Sequence, residues 1–431
     1  MNIRTALDKI GQDNGNDFRT TNQEYTSPAE TTSRRSSRKS TKSRKRSPSA
    51  GAAPSTSEPR KKARRKIELI ITPPTKPRQL HFGEKGYYPV TDGQVLENRY
   101  ELQKMLGNGS YATVHLAKDR QTQSAVAIKI VRTGELYNIA SDLEIGFMKT
   151  AKRTISSSND SESIVSLLDN FGLQGPHGLH VVMVMEALGP DLLSILCESN
   201  QKVLSVHRIK SFSKNILEGL HFLHSKCNIL HLDLKPENLF VTVDPANMDL
   251  SDPSCSARLK IGDFGTSART YETVKRIVQT SHYRAPESFF KVQITPVTDV
   301  WSVGCCVYEM VTRSMLFPSC NEPTDKSGHK WYLSKISELL GPIRMSYFER
   351  NERNEEIFKE VFGNRDVVFV EKKGQFNWIS PGELMREHPM KKTEAEEFNV
   401  FMKELMVINP KRRPNAEEAL KRPFFTNDCS E

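Results

Sequence analysis

Residues 231–240, HLDLKPENLF, carry three polar side chains that could do chemistry. Asp233 and Asn238 stand five residues apart with Lys235 between them, in a segment bounded by apolar residues. Asp263, in the segment GDFG, lies 25 residues beyond Asn238 and adds a second carboxylate. One loop of this composition could be an ordinary turn. The two loops together indicate a site.

A second candidate site precedes them, in LGNGSYATV at residues 106–114. Gly107 and Gly109 permit a tight turn whose backbone N–H groups can approach phosphate oxygens closely. The third glycine position is Ala112, and a plain hairpin turn remains an open alternative. No Gly-Lys-Ser/Thr follows, which excludes a Walker A loop.

Lys129 ends the apolar segment VAIK, where a lysine is costly to bury unless it meets a partner. Strand alternation puts Lys129 on the same face as Ala127, while the isoleucines face the other way. A phosphate or a carboxylate would satisfy the ammonium group. Glu144 on the following helix is the first candidate and Glu135 the second, and an edge-strand lysine that reaches solvent is the alternative.

The elements that must position these residues follow from apolar periodicity. The pattern predicts three strands within residues 100–132, a helix over 139–151 and another strand within 179–188. Helices dominate from Val206 onward. We therefore predict an α+β fold with a small β-rich half and a larger α-helical half, and a crossing near residues 186–190.

Residues 1–78 differ from the rest in composition. They are rich in Ser, Thr, Lys, Arg and Pro, and residues 34–66 hold fourteen Lys and Arg against one acidic residue, although the whole chain carries only +10. Such a segment is predicted to be a disordered basic Ser/Arg-rich tail. Its clusters at 42–46 and 60–66 resemble a split nuclear-import signal, with a solvated linker or nonspecific nucleic-acid contact as the alternatives.

The cysteines and the hydropathy bear on the compartment. Seven scattered cysteines form no CxxC pair, which suits a reducing environment. The sequence shows neither an apolar leader nor a run of about eighteen uncharged apolar residues, so no membrane association is expected. We expect a soluble protein of the nucleus and/or cytoplasm.

Residues 231–240 fit H-x-D-x-x-x-x-N, the catalytic-loop pattern of protein kinases. With GDFG, SHYRAPE ending at Glu287, DVW at 299–301 and NPKRRPNAEEAL near the C-terminus, the chain resembles a eukaryotic protein kinase over residues 100–425. The resemblance implies a bilobal fold.

The N-lobe would span residues 100–186 and the C-lobe 190–425, with a lead-in segment at 79–99. Glu287 would pair with Arg413.

The resemblance also implies roles for single residues. Asp233 would orient the attacking hydroxyl, Lys235 would offset charge on the transferred phosphoryl group, and Thr280 would bond Asp233. Asn238 and Asp263 would hold Mg²⁺.

ATP is the other implied cofactor. Met185 would be the gatekeeper, and residues 186–188 would form the hinge that touches adenine. Asp299 would hold the catalytic-loop backbone. The implied ATP-binding positions are Leu106, Gly107, Asn108, Gly109, Ser110, Tyr111, Ala112, Thr113, Val114, Ala127, Lys129, Glu144, Met185, Glu186 and Leu188.

Leu232 departs from the pattern, because most kinases have arginine there to read a phosphate on the activation segment. Leucine removes that receiver. We therefore predict a kinase that does not need phosphorylation of residues 263–287.

Within the family the chain most resembles SR-protein kinases, through KGYYPVTDGQVLENRYELQKMLGNGSYATV, EALGPDLLSIL and KKGQFNWI, while its tail is similar to that of Clk-type kinases. Phe264 replaces the leucine of their DLG. Ser314 and Trp331 occupy positions that are acidic in SR-protein kinases, and Glu338 alone remains.

The resemblance implies ATP-dependent phosphorylation of Ser/Thr residues in proteins, with Arg/Ser-rich splicing-type proteins as candidate substrates and a nuclear import receptor as a partner. The alternative is a pseudokinase scaffold with a nuclear basic tail. A small-molecule kinase is disfavoured by the APE segment and Thr280. Direct nucleic-acid binding is not expected, because no aromatic-interleaved RNA-binding motif is present.

Overall fold

The structure is a computed structural model. It describes residues 80–91, 93–157, 163–198, 204–242, 249–250, 252, 255–274, 276–290, 292–317, 326–363, 367–368, 384–386, 388 and 390–426. The predicted disordered tail at 1–78, with its import clusters, and the KKGQFNWI segment at 372–379 lie outside the described residues.

The N-terminal lobe is built on a six-stranded antiparallel sheet in the order β1-β2-β3-β4-β6-β5. Its strands are β1 Val95–Leu96, β2 Tyr100–Asn108, β3 Ala112–Asp119, β4 Ala125–Val131, β5 Leu167–Gly175 and β6 Gly178–Glu186. The three strands predicted within 100–132 and the strand predicted within 179–188 are all present. β5 was not predicted, because LLDNFGLQG lacks a regular apolar alternation.

β4 shows the alternation that places Lys129. Ile128 and Ile130 are fully buried in a cluster on one face of the sheet. Lys129 emerges on the other face, toward helix α1, Glu135–Ser157. The helix predicted over 139–151 is therefore longer at both ends. Threonines are tolerated near its C-terminal end because Thr150 and Thr154 donate their hydroxyls to backbone carbonyls four residues earlier.

The C-terminal lobe is mainly helical. Its helices are α2 Leu192–Cys197, α3 Val206–Ser225, α4 Pro296–Thr312, α5 Lys326–Leu340, α6 Glu352–Phe362, α7 Lys392–Leu405, α8 Ala416–Leu420 and α9 Pro423–Thr426. Short strands pair as β7 Ile229–Leu230 with β10 Ala268–Arg269, β8 Leu239–Val241 with β9 Leu259–Ile261, and β11 Ile343–Arg344 with β12 Val367–Val368.

α4 is the buried centre of this lobe. Thirteen of its residues are buried, including Trp301, which stacks on Phe317 with ring centroids 5.9 Å apart. A charged group inside such a helix is costly to bury unless it is hydrogen-bonded. Asp299 is such a group, as described below.

The chain crosses from β6 to α2 through residues 187–190. Gly189 N–H donates to Val241 O at 2.7 Å, and Val241 N–H donates to Pro190 O at 3.1 Å. Asp191 then caps α2 by accepting from Ser194 N–H. The expected fold, a β-rich lobe joined to a helical lobe at this crossing, is confirmed. None of the helices in the described residues combines the length and apolar character that a membrane crossing requires.

Candidate active site

The turn between β2 and β3 is closed by a hydrogen bond from Gly109 N–H to Ala112 O, at 2.9 Å. A Cβ added to Gly107 would meet no atom within 4 Å, so the loop borders open space. A phosphate group fits such a cradle, because bare backbone can approach it closely. Thr113 is an exception among the predicted loop residues. It pairs with Ile130 and is buried on the face away from Lys129, so its side chain does not face the cleft.

Lys129 is the centre of a buried ion-pair network. Its Nζ lies 2.7 Å from Glu144 Oε1 and 3.1 Å from Asp263 Oδ1. Burial alone would lower the pKa of Lys129, but the Asp263 and Glu144 carboxylates outweigh it and hold that pKa well above its ordinary value. The lysine is therefore charged. The expected Lys129–Glu144 pair is present, and Glu135 instead begins α1.

Tyr111 reaches into this network from the tip of the loop. Its hydroxyl donates to Asp263 Oδ1 at 3.0 Å and accepts from Lys129 Nζ at 3.0 Å. Burial raises the pKa of Tyr111 well above 10, so the phenol stays protonated. The sequence indicated only a loop position here, not a side chain that occupies the cleft.

Asp263 and Asn238 lie close together, since Gly262 N–H donates to Asn238 O at 2.9 Å. Asp263 has a left-handed backbone, φ +61°, that is sparsely populated outside glycine, and such strain concentrates at functional sites. Its Oδ2 takes no part in the bonds to Lys129 and Tyr111. Asn238 donates its amide NH₂ to Asp233 O at 2.8 Å, which leaves its oxygen for a cation. One carboxylate oxygen and one amide oxygen fit Mg²⁺, which keeps several waters and takes few protein ligands.

Asp233 is fixed by donors from Thr280, Lys235 and Asn238, whose amide NH₂ lies 3.4 Å from Oδ2. Thr280 gives it the hydroxyl at 2.6 Å and the backbone N–H at 3.1 Å, both to Oδ1. Lys235 Nζ lies 3.1 Å from Oδ2 and also donates to the Thr280 hydroxyl at 3.3 Å. Burial lowers the pKa of Lys235, yet the neighbouring Asp233 carboxylate raises it above its usual value, so Lys235 is charged as well. The carboxylate is thus held at one orientation.

Asp299 holds the backbone of the catalytic loop through hydrogen bonds. Its Oδ2 accepts from His231 N–H at 2.9 Å, and its Oδ1 accepts from Leu232 N–H at 2.8 Å. His224 Nε2 lies 2.8 Å from Oδ2. Burial raises the pKa of Asp299, but His224, His231 and the Leu232 N–H together outweigh burial and lower that pKa, so the carboxylate stays ionised. The expected role of Asp299 in holding this backbone agrees with the geometry.

A second lysine, Lys260, fixes the end of β6 by binding its last residue, Glu186. Lys260 Nζ lies 2.8 Å from both carboxylate oxygens of Glu186, and Ser166 N–H also donates to that carboxylate. Met185 pairs with Ala127 across β4 and β6, next to Lys129. Lys260 was missed in the sequence, although the argument applied to Lys129 holds for a lysine in LKI as well.

Leu232 is buried in apolar surroundings. It is fully buried and has a left-handed backbone, φ +63°. Five buried residues form what we call the apolar latch: Leu230, Leu232, Ala268, Val278 and Ile294. The latch joins the catalytic loop to both ends of the activation segment, and Gln279 N–H donates to Leu232 O at 3.0 Å. Apolar packing thus occupies the place of the missing arginine.

Beneath the activation segment Glu287 and Arg413 form a buried pair. Arg413 donates to Glu287 through two nitrogens at 2.6 and 3.0 Å, and it lies over Trp301. Bidentate pairs of this kind fix geometry strongly. The pairing expected from the sequence is therefore present.

Comparison with known proteins agrees with this geometry. A family model of the protein kinase domain matches residues 100–425. The chain belongs to the protein kinase family.

Three relatives are informative. Serine/threonine-protein kinase SRPK of Physarum polycephalum is 30% identical, over 79% of this chain and 89% of the relative. Serine/threonine-protein kinase ppk5 of Schizosaccharomyces pombe is 29% identical, over 81% of this chain and 38% of the relative. SRSF protein kinase 3 of Mus musculus is 40% identical over 37% of this chain and 28% of its own length. These relatives place the chain among serine/threonine protein kinases of the SR-protein and Clk-type branch.

Protein kinases use ATP with, typically, Mg²⁺. The structure brings the predicted polar residues of such a site together in one cleft: Lys129, Glu144, Asp233, Lys235, Asn238, Asp263 and Thr280. The positions that are acidic in SR-protein kinases lie in a different part of the C-terminal lobe, on α5 for Trp331 and Glu338. Trp331 packs against the core, and Glu338, nearly buried, bonds Lys335 at 2.8 Å. Nothing in the comparisons favours the pseudokinase alternative.

Proposed function

We propose that this protein kinase transfers the γ-phosphoryl group of ATP to serine or threonine hydroxyls of proteins that carry arginine near the acceptor. One observation supports this most strongly. A single cleft holds Asp233, whose carboxylate is fixed by Thr280, and the charged Lys129, which is paired with Glu144 and Asp263. Phosphoryl transfer needs positioning and charge neutralisation more than covalent chemistry, and these residues supply both.

Each residue has a definite task. Asp233 accepts a hydrogen bond from the substrate hydroxyl and so aligns it for attack. Thr280 keeps the Asp233 carboxylate in place. Lys129 holds the ATP phosphates and Lys235 offsets charge on the group in transfer. Asn238 and Asp263 would hold Mg²⁺, which would neutralise charge on the ATP phosphates.

We further propose that the kinase is active without phosphorylation of its activation segment. An arginine at this position is an unpaired charge before the activation segment is phosphorylated. In that state it does not fix the segment. The apolar latch needs no such partner, because burial of Leu232 and Val278 already stabilises the contact.

Two observations support substrates with arginine. One relative is named an SRSF protein kinase, and another SRPK. Glu237, four residues after Asp233 and exposed, carries a carboxylate beside the catalytic loop. A substrate guanidinium group beside this carboxylate would be favoured by Coulomb attraction.

A peptide array with arginine–serine, proline-directed and acidic sequences tests this function. We expect phosphorylation that favours arginine–serine peptides and that Glu237→Gln weakens this preference. Glu198→Gln, on the segment after α2, is the control. A preference for proline-directed over arginine–serine peptides would refute the substrate class while leaving the kinase activity intact. No phosphorylation of any peptide would refute the activity.

The basic clusters at 42–46 and 60–66 support a nuclear location, with an import receptor as partner. A fluorescent fusion of the full chain should accumulate in the nucleus, and replacing the Lys and Arg residues of both clusters by Ala should redistribute it. Nuclear accumulation that persists in the variant would contradict the proposal.

A further inference from the structure

Three successive carbonyl groups of the glycine-rich turn are bonded by groups outside it. Gly109 O accepts from the Tyr87 hydroxyl at 2.6 Å. Ser110 O accepts from the Arg132 guanidinium at 2.9 Å. Tyr111 O accepts from the backbone N–H of Arg132 at 2.8 Å. The turn therefore does not set its own peptide orientation. It is held by the segment before β1 and by the residue after β4.

These bonds decide where the N–H groups of the turn point. In a planar trans peptide the C=O of one residue is antiparallel to the N–H of the next. Fixing the carbonyls of Gly109 and Ser110 outward therefore directs the N–H groups of Ser110 and Tyr111 to the opposite side. The Tyr111 hydroxyl bonds Lys129 and Asp263, so the turn borders the cleft at this residue. Successive N–H groups that face one concave space bind anions.

The outer partners are themselves firmly anchored. The Arg132 guanidinium also donates to Lys85 O at 2.8 Å and lies 5.1 Å from the ring centroids of Tyr87 and of Tyr137. Thr133 N–H donates to Gly86 O at 3.1 Å.

The backbone of this segment is also closely folded. A Cβ on Gly86 would lie 2.4 Å from His81 O and 2.5 Å from Gly83 O, so no side chain fits there. The Tyr87 side chain is only 5% exposed. The segment at 80–91 is therefore a built part of the lobe.

We propose that Tyr87 and Arg132 form a clamp that positions the phosphate-binding N–H groups of the turn, and so sets the affinity for ATP. The inference rests on the proposed function of the cleft. Neither residue touches the reacting atoms, so both are positioning residues. Loss of the clamp should weaken nucleotide binding and leave the transfer step itself unchanged.

Tyr87→Phe tests the clamp, because it removes one hydroxyl and keeps the ring beside Arg132. Tyr88→Phe is the matched control. Its hydroxyl accepts from the Gln94 side-chain amide at 2.8 Å and its ring packs on His180, and neither contact involves the turn. Affinity for a non-hydrolysable ATP analogue with Mg²⁺ is measured by calorimetry on the full chain, alongside KM and kcat.

We expect Tyr87→Phe to weaken analogue binding, and to raise KM for ATP, by about threefold to tenfold, the loss of one hydrogen bond. kcat and KM for the peptide should stay within about twofold, and Tyr88→Phe should match the unchanged protein. Arg132→Lys, which keeps the backbone N–H and the charge but loses the guanidinium fork, should also weaken analogue binding.

Unchanged analogue affinity in Tyr87→Phe would overturn the inference, whether or not the variant melts at a lower temperature. So would an equal loss in Tyr88→Phe, or a fall in kcat with KM for ATP unaltered. If no protein phosphorylates any peptide, the proposed function fails, yet the calorimetric comparison of the two variants still decides whether the clamp exists.

Discussion

The cleft and the base of the activation segment solve the same problem, holding two loops together, by opposite means. In the cleft the loops meet through charges: Lys129 with Glu144 and Asp263, and Asp233 with Lys235 and Thr280. At the base they meet through the apolar latch around Leu232. The first arrangement is made of polar groups that phosphoryl transfer uses, and the second contains none of them.

The difference shows which charges the chemistry requires. A group that must act on phosphate has to be charged even when burial is costly, so it is surrounded by partners. A group that only fixes a loop can be apolar, since packing positions a loop as well as an ion pair does and carries no desolvation cost. An arginine at position 232 belongs to the second class, and leucine can replace it.

Removing the charge of Asp233 should have the largest effect. Asp233→Asn keeps the shape of the side chain but loses the carboxylate that orients the substrate hydroxyl. We expect kcat to fall by about 10²- to 10⁴-fold, with the melting temperature nearly unchanged, in a peptide phosphorylation assay. Asp142→Asn, exposed on α1, should keep full activity. A variant at position 233 that keeps more than a tenth of the activity would contradict the role.

Placing a charge in the latch tests the other side of the comparison. Leu232→Arg buries a guanidinium with no carboxylate in the apolar latch, so we expect it to lower the free energy of unfolding by about 2–5 kcal/mol. Leu232→Met, of similar volume, should cost less than about 1.5 kcal/mol. Urea denaturation measures both. Equal stability of the two variants would mean that the latch is not what holds the segment.

Glu309, a carboxyl group inside the C-terminal lobe, shows what happens to a buried acid that has no cationic partner among the described residues. Glu309 is fully buried and accepts one hydrogen bond, from Tyr283 at 2.7 Å. Burial raises its pKa from 4.5 to about 7. Because the folded state then holds a proton that the unfolded chain releases, this residue's contribution is complete below about pH 4.5 and is lost as pH rises through 7.

Between pH 5 and 8 the unfolding free energy of the unchanged protein should therefore fall, relative to Glu309→Gln, by at most about 3 kcal/mol. Denaturation curves at several pH values measure the difference. Parallel pH profiles for the two proteins would show that Glu309 is ionised in the folded state at neutral pH.

The smallest effect is expected at Tyr111, whose hydroxyl lies in the cleft but has no task in phosphoryl transfer. Its hydroxyl bonds Lys129 and Asp263, which ATP and Mg²⁺ also need. Tyr111→Phe should therefore lower KM for ATP by about twofold to tenfold at similar kcat, in steady-state assays. A higher KM would show instead that the hydroxyl assists nucleotide binding.

The sequence could predict the parts of the site that lie in short segments. Asp233, Lys235 and Asn238 occur in one loop. A buried ammonium in the apolar strand VAIK needs a partner, and Glu144 and Glu135 were the two candidate carboxylates. Alternation in β4 gave the correct face for Lys129. The same reasoning, applied to LKI, would have found Lys260 and its pair with Glu186.

Other features depend on contacts that sequence spacing does not reveal. The latch gathers residues from Leu230 to Ile294 through the path of the activation segment, and nothing in HLDLKPENLF shows that Leu232 is buried. The clamp joins Tyr87 to Gly109 across the lead-in segment. The position of the Tyr111 hydroxyl depends on the conformation of a turn, and β5 forms because β6 provides its partner.

The most direct test is phosphorylation by protein that carries no phosphate. The full chain is treated with phosphatase, its unphosphorylated state is verified by mass spectrometry, and initial rates on an arginine–serine peptide are compared with those of untreated protein, with Asp233→Asn as the blank. We predict equal rates for the two preparations, far above the blank. A dephosphorylated protein that is inert until another kinase acts on residues 263–287 would contradict the claim that apolar packing replaces the arginine.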